Sequence, residues 1–289
     1  LREIGVSLFK SFFFGLIIAA VCCRQGLSVE GGPTQIPISA TKGVMAVERG
    51  AHIFAVGTNT HPVVFPRDKA VGQRKAGDWG GVIICGRGPT NVEGGEWVVK
   101  GFSSLRAGGG ASPDPEESSG RLSYARFEYA GASVGDLSPA PLTAITFCAL
   151  GSGTQLDHIV AKQARDDGLE WYGGTSNLKY GLSIGAEEGV DCEYGWQGHA
   201  QFIACIQKAS AGNNGWMFAE DELRPGLEPI TFPTVCNVTL IGAYASGSRS
   251  AYGVRVRYLA GANFYNGILQ GWHDDGMHFD SDFGPVSMD

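Results

Sequence analysis

The chain has 289 residues, a formal net charge of −7 and 44 glycines, which is roughly twice the usual glycine share. The acidic balance excludes a basic nucleic-acid-binding domain, because neutralising phosphates requires an excess of cationic residues. A hydrophobic share of 43% excludes bulk disorder, and so many glycines exclude a long coiled coil. Seven cysteines are too few for a disulfide scaffold of this length. The composition favours an all-β chain that is rich in turns.

The first predicted element is an apolar segment over residues 1–24. Arg2 and Lys10 precede an uninterrupted apolar run from Phe12 to Cys23. Extended back to Ile4, this run is just long enough to cross a bilayer as a helix. We expect a retained membrane-anchor helix, whose apolar residues are Phe12, Phe13, Phe14, Leu16, Ile17 and Ile18.

Three other interpretations of this segment stay open. Its charged start and apolar run are typical of a cleaved secretory signal peptide. A lipoprotein signal would place a lipid on Cys22 or Cys23, although the preceding residues fit that pattern only in part. The segment could also be an apolar helix in the core of the chain. The positive residues favour a cytoplasmic N-terminus, with the rest of the chain in the periplasm or outside the cell.

The body of the chain predicts strands. Residues 25–43 are predicted to form a linker or cap, and residues 44–289 a single β domain. Apolar runs of four to eight residues follow one another, each bounded by Gly, Pro, Asn or Asp, which is the signature of strands. In one run Leu122, Tyr124 and Arg126 alternate with their neighbours, which predicts that these three share one face. No long apolar period of 3.6 residues follows, so we predict no major helix there.

A repeated phrase indicates how the strands are arranged. Asp166-Asp167-Gly168 recurs as Glu187-Glu188-Gly189 and as Asp274-Asp275-Gly276, and the first two copies lie 21 residues apart. A period of roughly 20 to 25 residues with short strands and Gly/Asp turns is typical of a parallel β-helix. A β-sandwich is the alternative. Residues 106–120, rich in Gly, Pro and Ser, predict an exposed insertion.

Several longer phrases resemble a known family. They include Glu48 to Thr58, Gly77 to Ile84, Gly120 to Tyr124, Gly151 to Asp157 and Asp166 to Thr175. Their order resembles that in a bacterial family of secreted or outer-envelope right-handed β-helix proteins, over roughly residues 43–280. The resemblance implies the right-handed parallel β-helix and an envelope location, with no established catalytic residue set. Where that family carries a run of Asp, this chain has Ala186 to Glu193.

The acidic turns form the strongest candidate site. In a β-helix, equivalent turns of adjacent coils stack about 4.8 Å apart, which brings their carboxylates together. Stacked carboxylates suit Ca²⁺, which takes six to eight oxygen ligands. The candidate Ca²⁺ ligands are Asp166, Asp167, Glu187, Glu188 and Asp191, with Glu170 nearby. The alternative is that these acids only form polar turns.

Two further constellations could act on sugars. Asp166 and Asp167, with His199 and Arg255 or Arg257, could serve as the acidic, histidine and basic groups of a glycan-cleaving site. The tryptophans of the body could stack on sugar rings if they line one face, or they could cover the coils as large aromatics usually do. These tryptophans are Trp79, Trp171, Trp196, Trp216 and Trp272.

The anchor is the feature that decides our interpretation of function. We expect a non-catalytic, membrane-tethered β-helix that acts as an accessory or structural subunit of a membrane-protein complex in the bacterial cell envelope, such as a respiratory or photosynthetic one. Its expected partners are the membrane and integral membrane proteins, with no nucleic acid and no cofactor other than possible Ca²⁺. The alternative is a cell-surface β-helix that binds carbohydrate, with a glycan-cleaving enzyme as a third interpretation.

Overall fold

The computed structural model describes residues 43–133, 140–210, 212–244 and 250–280, together with two short strands before them. In chain order the strands are β1 (Leu27–Val29), β2 (Thr34–Gln35), β3 (Val44–Val47), β4 (Ile53–Val56), β5 (Val63–Phe65), β6 (Gly81–Cys85), β7 (Trp97–Val98), β8 (Arg106–Ala107), β9 (Gly120–Glu128), β10 (Ile145–Leu150), β11 (Gln155–Lys162), β12 (Leu169–Gly174), β13 (Asn177–Ile184), β14 (Val190–Glu193), β15 (His199–Ile206), β16 (Asn214–Phe218), β17 (Thr234–Ile241), β18 (Tyr252–Val256), β19 (Asn263–Gln270) and β20 (Asp275–Phe279). Within the described ranges the helical structure is one 3-10 turn, Glu93–Gly95.

The strands form two long parallel sheets that the chain visits in turn. The first sheet has the order β1-β4-β9-β11-β13-β15-β17-β19, with β2 and β5 paired beside it. The second has the order β3-β6-β10-β12-β14-β16-β18-β20. Each coil therefore adds one strand to each sheet, in register with the coil before. The predicted all-β parallel β-helix is confirmed, and the sandwich alternative is wrong, because a sandwich is built from antiparallel sheets.

The predicted anchor lies outside the described residues. That prediction covers residues 1–24, including the possible lipidation sites Cys22 and Cys23, so it stays a prediction. Among the residues that the structure does describe, no helix has the length and apolarity needed to cross a membrane. The predicted linker or cap over residues 25–43 contributes β1, which pairs with β4, and β2, which pairs with β5.

The five body tryptophans lie between the two sheets. All five are at most 8% exposed, and they belong to the main core cluster. The ring of Trp171 packs on those of Phe147 and Trp196, with centroid separations of 4.7 Å in both cases. Buried indoles need a partner for N–H, and Trp196 donates to the Ser176 carbonyl oxygen at 3.1 Å. The interpretation of these tryptophans as a sugar-stacking surface is therefore wrong.

A column of glycines explains how the repeat phrase packs. Gly168, Gly189, Gly215 and Gly253 occupy the same position in successive coils, directly before or within the second-sheet strands. A Cβ on Gly168 would lie 2.1 Å from the Ser183 hydroxyl oxygen, and one on Gly189 would lie 2.5 Å from the next glycine's carbonyl oxygen. The stacked coils leave no room for a side chain in this column.

The predicted alternation in β9 is wrong from Tyr124 onward. Leu122, Ala125 and Phe127 all point into the core, whereas Tyr124 and Arg126 are only half-buried. The reason is that Tyr124 has a φ of +50°, which turns the strand by one position and exchanges its two faces.

An insertion covers part of the outer face of the second sheet. Residues 86–119 carry the antiparallel pair β7 and β8, and their apolar side chains bury the outward residues of three strands. These contacts form a second core, made of Val44, Ala46, Ile83, Cys85, Cys148, Val99, Phe102, Leu105 and Ala107. The predicted exposed insertion is correct for residues 111–116 and wrong for Ala107, which is fully buried.

Truncating one tryptophan tests the stacked core. We expect Trp171→Ala to lower the free energy of unfolding by about 3–5 kcal/mol, because it removes a fully buried ring and leaves a cavity. Urea denaturation measures this change. Tyr244→Ala is the control, since Tyr244 is 73% exposed and its loss should cost little. A cost for Trp171→Ala no larger than that of the control would contradict the stacked core.

Candidate functional site

The register of the second sheet brings the acidic turns together. Leu169 of β12 pairs with Val190 of β14, so Asp167 and Glu188, each two residues earlier, occupy the same position in adjacent coils. Asn214 takes this position in the next coil, and Asp275 takes it in the last described one. All three copies of the predicted repeat therefore fall in one column, which we call the acidic column.

Three buried carboxylates converge at this column. One oxygen each of Asp167, Glu188 and Asp191 lies within 4.8 Å of the others, and these residues are 8%, 7% and 4% exposed. Three of the five predicted Ca²⁺ ligands are thus brought together. The other two, Asp166 and Glu187, are only half-buried and lie beside this group without belonging to it.

Hydrogen bonds satisfy this group only in part. Glu188 Oε1 accepts hydrogen bonds from Asn214 Nδ2 at 2.5 Å and from Asn213 Nδ2 at 3.2 Å. Asp167 Oδ1 accepts one from the Glu188 backbone N–H at 3.1 Å. By contrast, Asp191 Oδ1 and Asn214 Oδ1 are buried and have no hydrogen-bond partner in the described part of the chain. Both of these orphaned oxygens are acceptors.

Burial and mutual repulsion raise the pKa values of the three carboxyl groups. Burial is the largest cause in each case, and it holds the pKa of Asp167 and of Asp191 well above the usual range. The pKa of Glu188 is raised to about 7 by burial, against the lowering effect of its Asn214 hydrogen bond. Three ionised carboxylates this close together need a positive partner or bound protons.

Acidic side chains continue along the outer face of the second sheet. Glu170 Oε2 accepts hydrogen bonds from the hydroxyls of Thr143 at 2.7 Å and Thr146 at 2.9 Å. Burial raises the pKa of Glu193 to about 8. The basic residues Arg255 and Arg257 lie farther along this face, where both bind Asp280 at 2.9 and 3.0 Å.

The predicted glycan-cleaving constellation is not assembled. Asp166 and Asp167 precede β12 of the second sheet, whereas His199 is the first residue of β15 in the first sheet. Asp167 is also buried, and Arg255 and Arg257 are bound to Asp280. These residues do not share one open groove, so this predicted site is wrong.

A surface row of stacked rings, which the sequence did not predict, lies on the first sheet. Tyr124, His158, Tyr180 and Phe202 occupy one position in β9, β11, β13 and β15, on the outer face of the first sheet. Their rings stack in order, with centroid separations of 4.0, 4.5 and 5.1 Å. We call these four residues the aromatic ladder. Lys179 Nζ lies 5.3 Å from the Tyr180 ring centroid and 5.6 Å from that of Phe202.

Every member of the aromatic ladder has a left-handed backbone. Their φ values are +50°, +52°, +64° and +59° in chain order, a conformation that is costly for bulky side chains. The next two residues in the column are Asn237 and Asn266, which also have positive φ. Asn adopts this conformation more readily than aromatic residues do.

A groove runs along the aromatic ladder. It has a volume of about 330 Å³ and is open to solvent. Its lining includes Thr58, Asn59, Tyr124, Arg126, Tyr180 and Phe202. The spacing of 22 residues between His158, Tyr180 and Phe202 was visible in the sequence, but only the register shows that these rings meet.

Two insertions touch beside the second sheet. Residues 86–119 follow β6, and residues 219–233 follow β16. Glu220, which is 1% exposed, accepts hydrogen bonds from Asn91 Nδ2 of the first insertion and from the Thr231 backbone N–H of the second. Arg224 and Glu93 add an ion pair at 2.7 Å between the same insertions. We call this contact the insertion bridge.

Comparison with known proteins identifies one family. Residues 19–287 match the family described as a pectate-lyase-like beta helix domain. No curated protein and no solved structure gives a significant match.

The insertion bridge should make stability depend on pH. Burial raises the pKa of Glu220 to about 7, above its ordinary value of 4.5, so the folded chain holds a proton that the unfolded chain loses in this window. The free energy of unfolding therefore falls as the pH rises from 4.5 to 7. We expect Glu220→Gln to make this fall smaller, as measured by urea midpoints at several pH values.

A control on the same insertion separates this effect from a general change of charge. Glu222 is exposed, and Glu222→Gln removes the same charge without touching the insertion bridge. The Glu222→Gln variant should show the parent's pH dependence. An identical pH dependence in the Glu220→Gln variant would contradict the role given to Glu220.

Proposed function

The chain belongs to the family of pectate-lyase-like β-helix domains, and we propose that it binds a carbohydrate chain in the groove along the aromatic ladder. One observation carries the proposal. The four ring-bearing residues of the aromatic ladder, which lie in four adjacent strands, all have a left-handed backbone and border an open groove. A purely structural turn could use Asn there, as the last two residues of the column do. Aromatic residues that occupy a surface position in spite of this backbone strain support a binding role.

The chemistry of the groove suits a sugar chain. Within the aromatic ladder the ring faces contact one another, so a ligand would meet ring edges and the outer side of Phe202, which is 41% exposed. The hydroxyls of Tyr124 and Tyr180 form no hydrogen bond within the described residues and are available to sugar hydroxyls. Apolar walls with a few convergent polar groups are typical of small-molecule sites.

The proposed activity is binding without cleavage. Glycosidic hydrolysis usually needs a pair of carboxylates that flank the scissile bond. In the described part of the chain, the groove is lined by no Asp or Glu. Lys179 beside the ladder would favour sugars that carry carboxylate groups, whereas Arg126 in the lining already forms an ion pair with Glu128.

Replacing one ring tests the proposal. We expect Tyr180→Asn to weaken oligosaccharide binding about tenfold or more, because it removes a central ring and a free hydroxyl. Asn is the residue of choice because it already occupies two positions of this column and tolerates the backbone conformation. A glycan array with neutral and uronic-acid oligosaccharides finds the ligand, and isothermal titration calorimetry measures its affinity.

The matched control is Tyr244→Asn, which removes an exposed tyrosine that does not line the groove. Its binding should equal that of the parent protein. Absence of any array signal, with and without CaCl₂, would overturn the proposal. So would equal losses in the two variants.

A second candidate function rests on the apolar run from Phe12 to Cys23. This segment supports the hypothesis that the β-helix is tethered to a membrane of the bacterial cell envelope, as an accessory or structural subunit of a larger complex. The segment lies outside the described residues, so its apolar sequence alone supports this hypothesis. Small and aromatic side chains there could pack on other membrane helices.

Fractionation of native membranes tests the tether. In mild detergent on a sucrose gradient, we expect the full chain to migrate with a large integral complex, because the apolar segment packs against its helices. Mass spectrometry of the fraction identifies the other subunits. A variant that lacks residues 1–23 should leave the complex. Unchanged migration of that variant, or migration of the full chain alone, would contradict the subunit hypothesis.

A further inference from the structure

We propose that Asp167, Glu188 and Asp191 hold one buried Ca²⁺ ion at the outer face of the second sheet, where it joins adjacent coils. The inference is independent of the carbohydrate-binding proposal, because the aromatic groove lies on the other sheet. It narrows the five ligands that the sequence predicts to the three that converge. It also assigns the ion a structural place, since all three residues are buried.

The distances fit a Ca²⁺ ion. Ca²⁺ binds oxygen at roughly 2.3–2.6 Å, so oxygens on opposite sides of one ion are up to about 5 Å apart. The three carboxylate oxygens lie within 4.8 Å of one another, which one Ca²⁺ can span. Mg²⁺ needs oxygens at about 2.0–2.1 Å in strict octahedral geometry, a demand that a group of three carboxylates on a fixed backbone meets less readily than the flexible shell of Ca²⁺.

Orphaned acceptors give a second, independent reason. Asp191 is only 4% exposed, and its Oδ1 atom has no hydrogen-bond partner in the part of the chain that the structure describes. Asn214 Oδ1, on a fully buried side chain that already contacts Glu188, also has no partner among the described residues. Buried polar atoms are almost always satisfied. Such oxygens call for a cation or a hydrogen-bond donor, and a further acceptor would satisfy neither.

The charges around the cluster agree with a divalent ion. Asp166, Glu170, Glu187 and Glu193 add negative charge from the neighbouring turns and strands. The cationic groups that act on Glu188 are Arg255 and Arg257, and both already bind Asp280. Repulsion among so many acids therefore calls for a counterion at the centre of the cluster. The alternative is that the buried carboxyl groups bind protons instead.

An ion here would act between coils. Asp167 precedes β12, Glu188 and Asp191 belong to the coil of β14, and Asn214 begins β16. The proposed ligands thus come from two successive coils, and Asn214, whose side-chain Oδ1 has no hydrogen-bond partner among the described residues, belongs to a third. A ligand that binds only the folded chain stabilises it by mass action.

Thermal unfolding of the full chain at neutral pH, after chelation and dialysis, tests the proposal. We expect CaCl₂ to raise the melting temperature of the parent protein by several degrees, and MgCl₂ to raise it less. Calorimetry should show one Ca²⁺ per chain. Asp191→Asn should weaken Ca²⁺ binding at least about tenfold and abolish the thermal shift, because it removes one charged ligand.

Two comparisons keep the test decisive. Asp274→Asn changes an exposed acid outside the cluster and should retain the full Ca²⁺ response. Without Ca²⁺, the Asp191→Asn variant should melt at least as high as the parent protein, because it relieves repulsion, so loss of response would not reflect unfolding. No effect of Ca²⁺ on the parent would overturn the proposal in favour of protonated carboxyls. A full response of Asp191→Asn would overturn it too.

Discussion

In-register parallel pairing between coils is the constraint on which the rest of the structure depends. Each residue of a sheet lies about 4.8 Å from its equivalent in the next coil, so side chains form columns along the solenoid. The core tryptophans, the glycines of the repeat, the aromatic ladder and the acidic column all follow from this one rule. Whether a column stabilises the fold depends on whether its side chains attract or repel one another.

The columns differ in this respect. Stacked rings such as Tyr180 and Phe202 gain contact area at a favourable spacing, which offsets part of their backbone strain. Stacked carboxylates such as Asp167 and Glu188 repel one another unless a cation or bound protons neutralise them. The ring column at the described surface therefore adds to stability by itself, while the buried carboxylates are compatible with the fold only when they are protonated or neutralised by a cation.

The fold could be predicted from the sequence because, where the coils are short, the acidic turns recur at a regular spacing along the chain. The 21-residue spacing of the Asp167 and Glu188 turns indicated stacking, and those turns do share a column. The aromatic ladder was missed because Tyr124 reverses the alternation of its strand and lies 34 residues from His158, with irregular turns between. The tryptophans were open to two interpretations, since composition alone does not show which side of a coil a ring occupies.

The insertion bridge has a consequence for how the solenoid comes apart. In a simple repeat protein each coil contacts only its neighbours, so an end can fray while the middle stays folded. Here Asn91 follows β6 and Glu220 follows β16, and three strands of the second sheet lie between these two. Opening any of the enclosed coils must also break this contact. The bridge thus makes the coils from β6 to β16 one cooperative unit. Unfolding that begins at either end of the solenoid would stop where it reaches this unit.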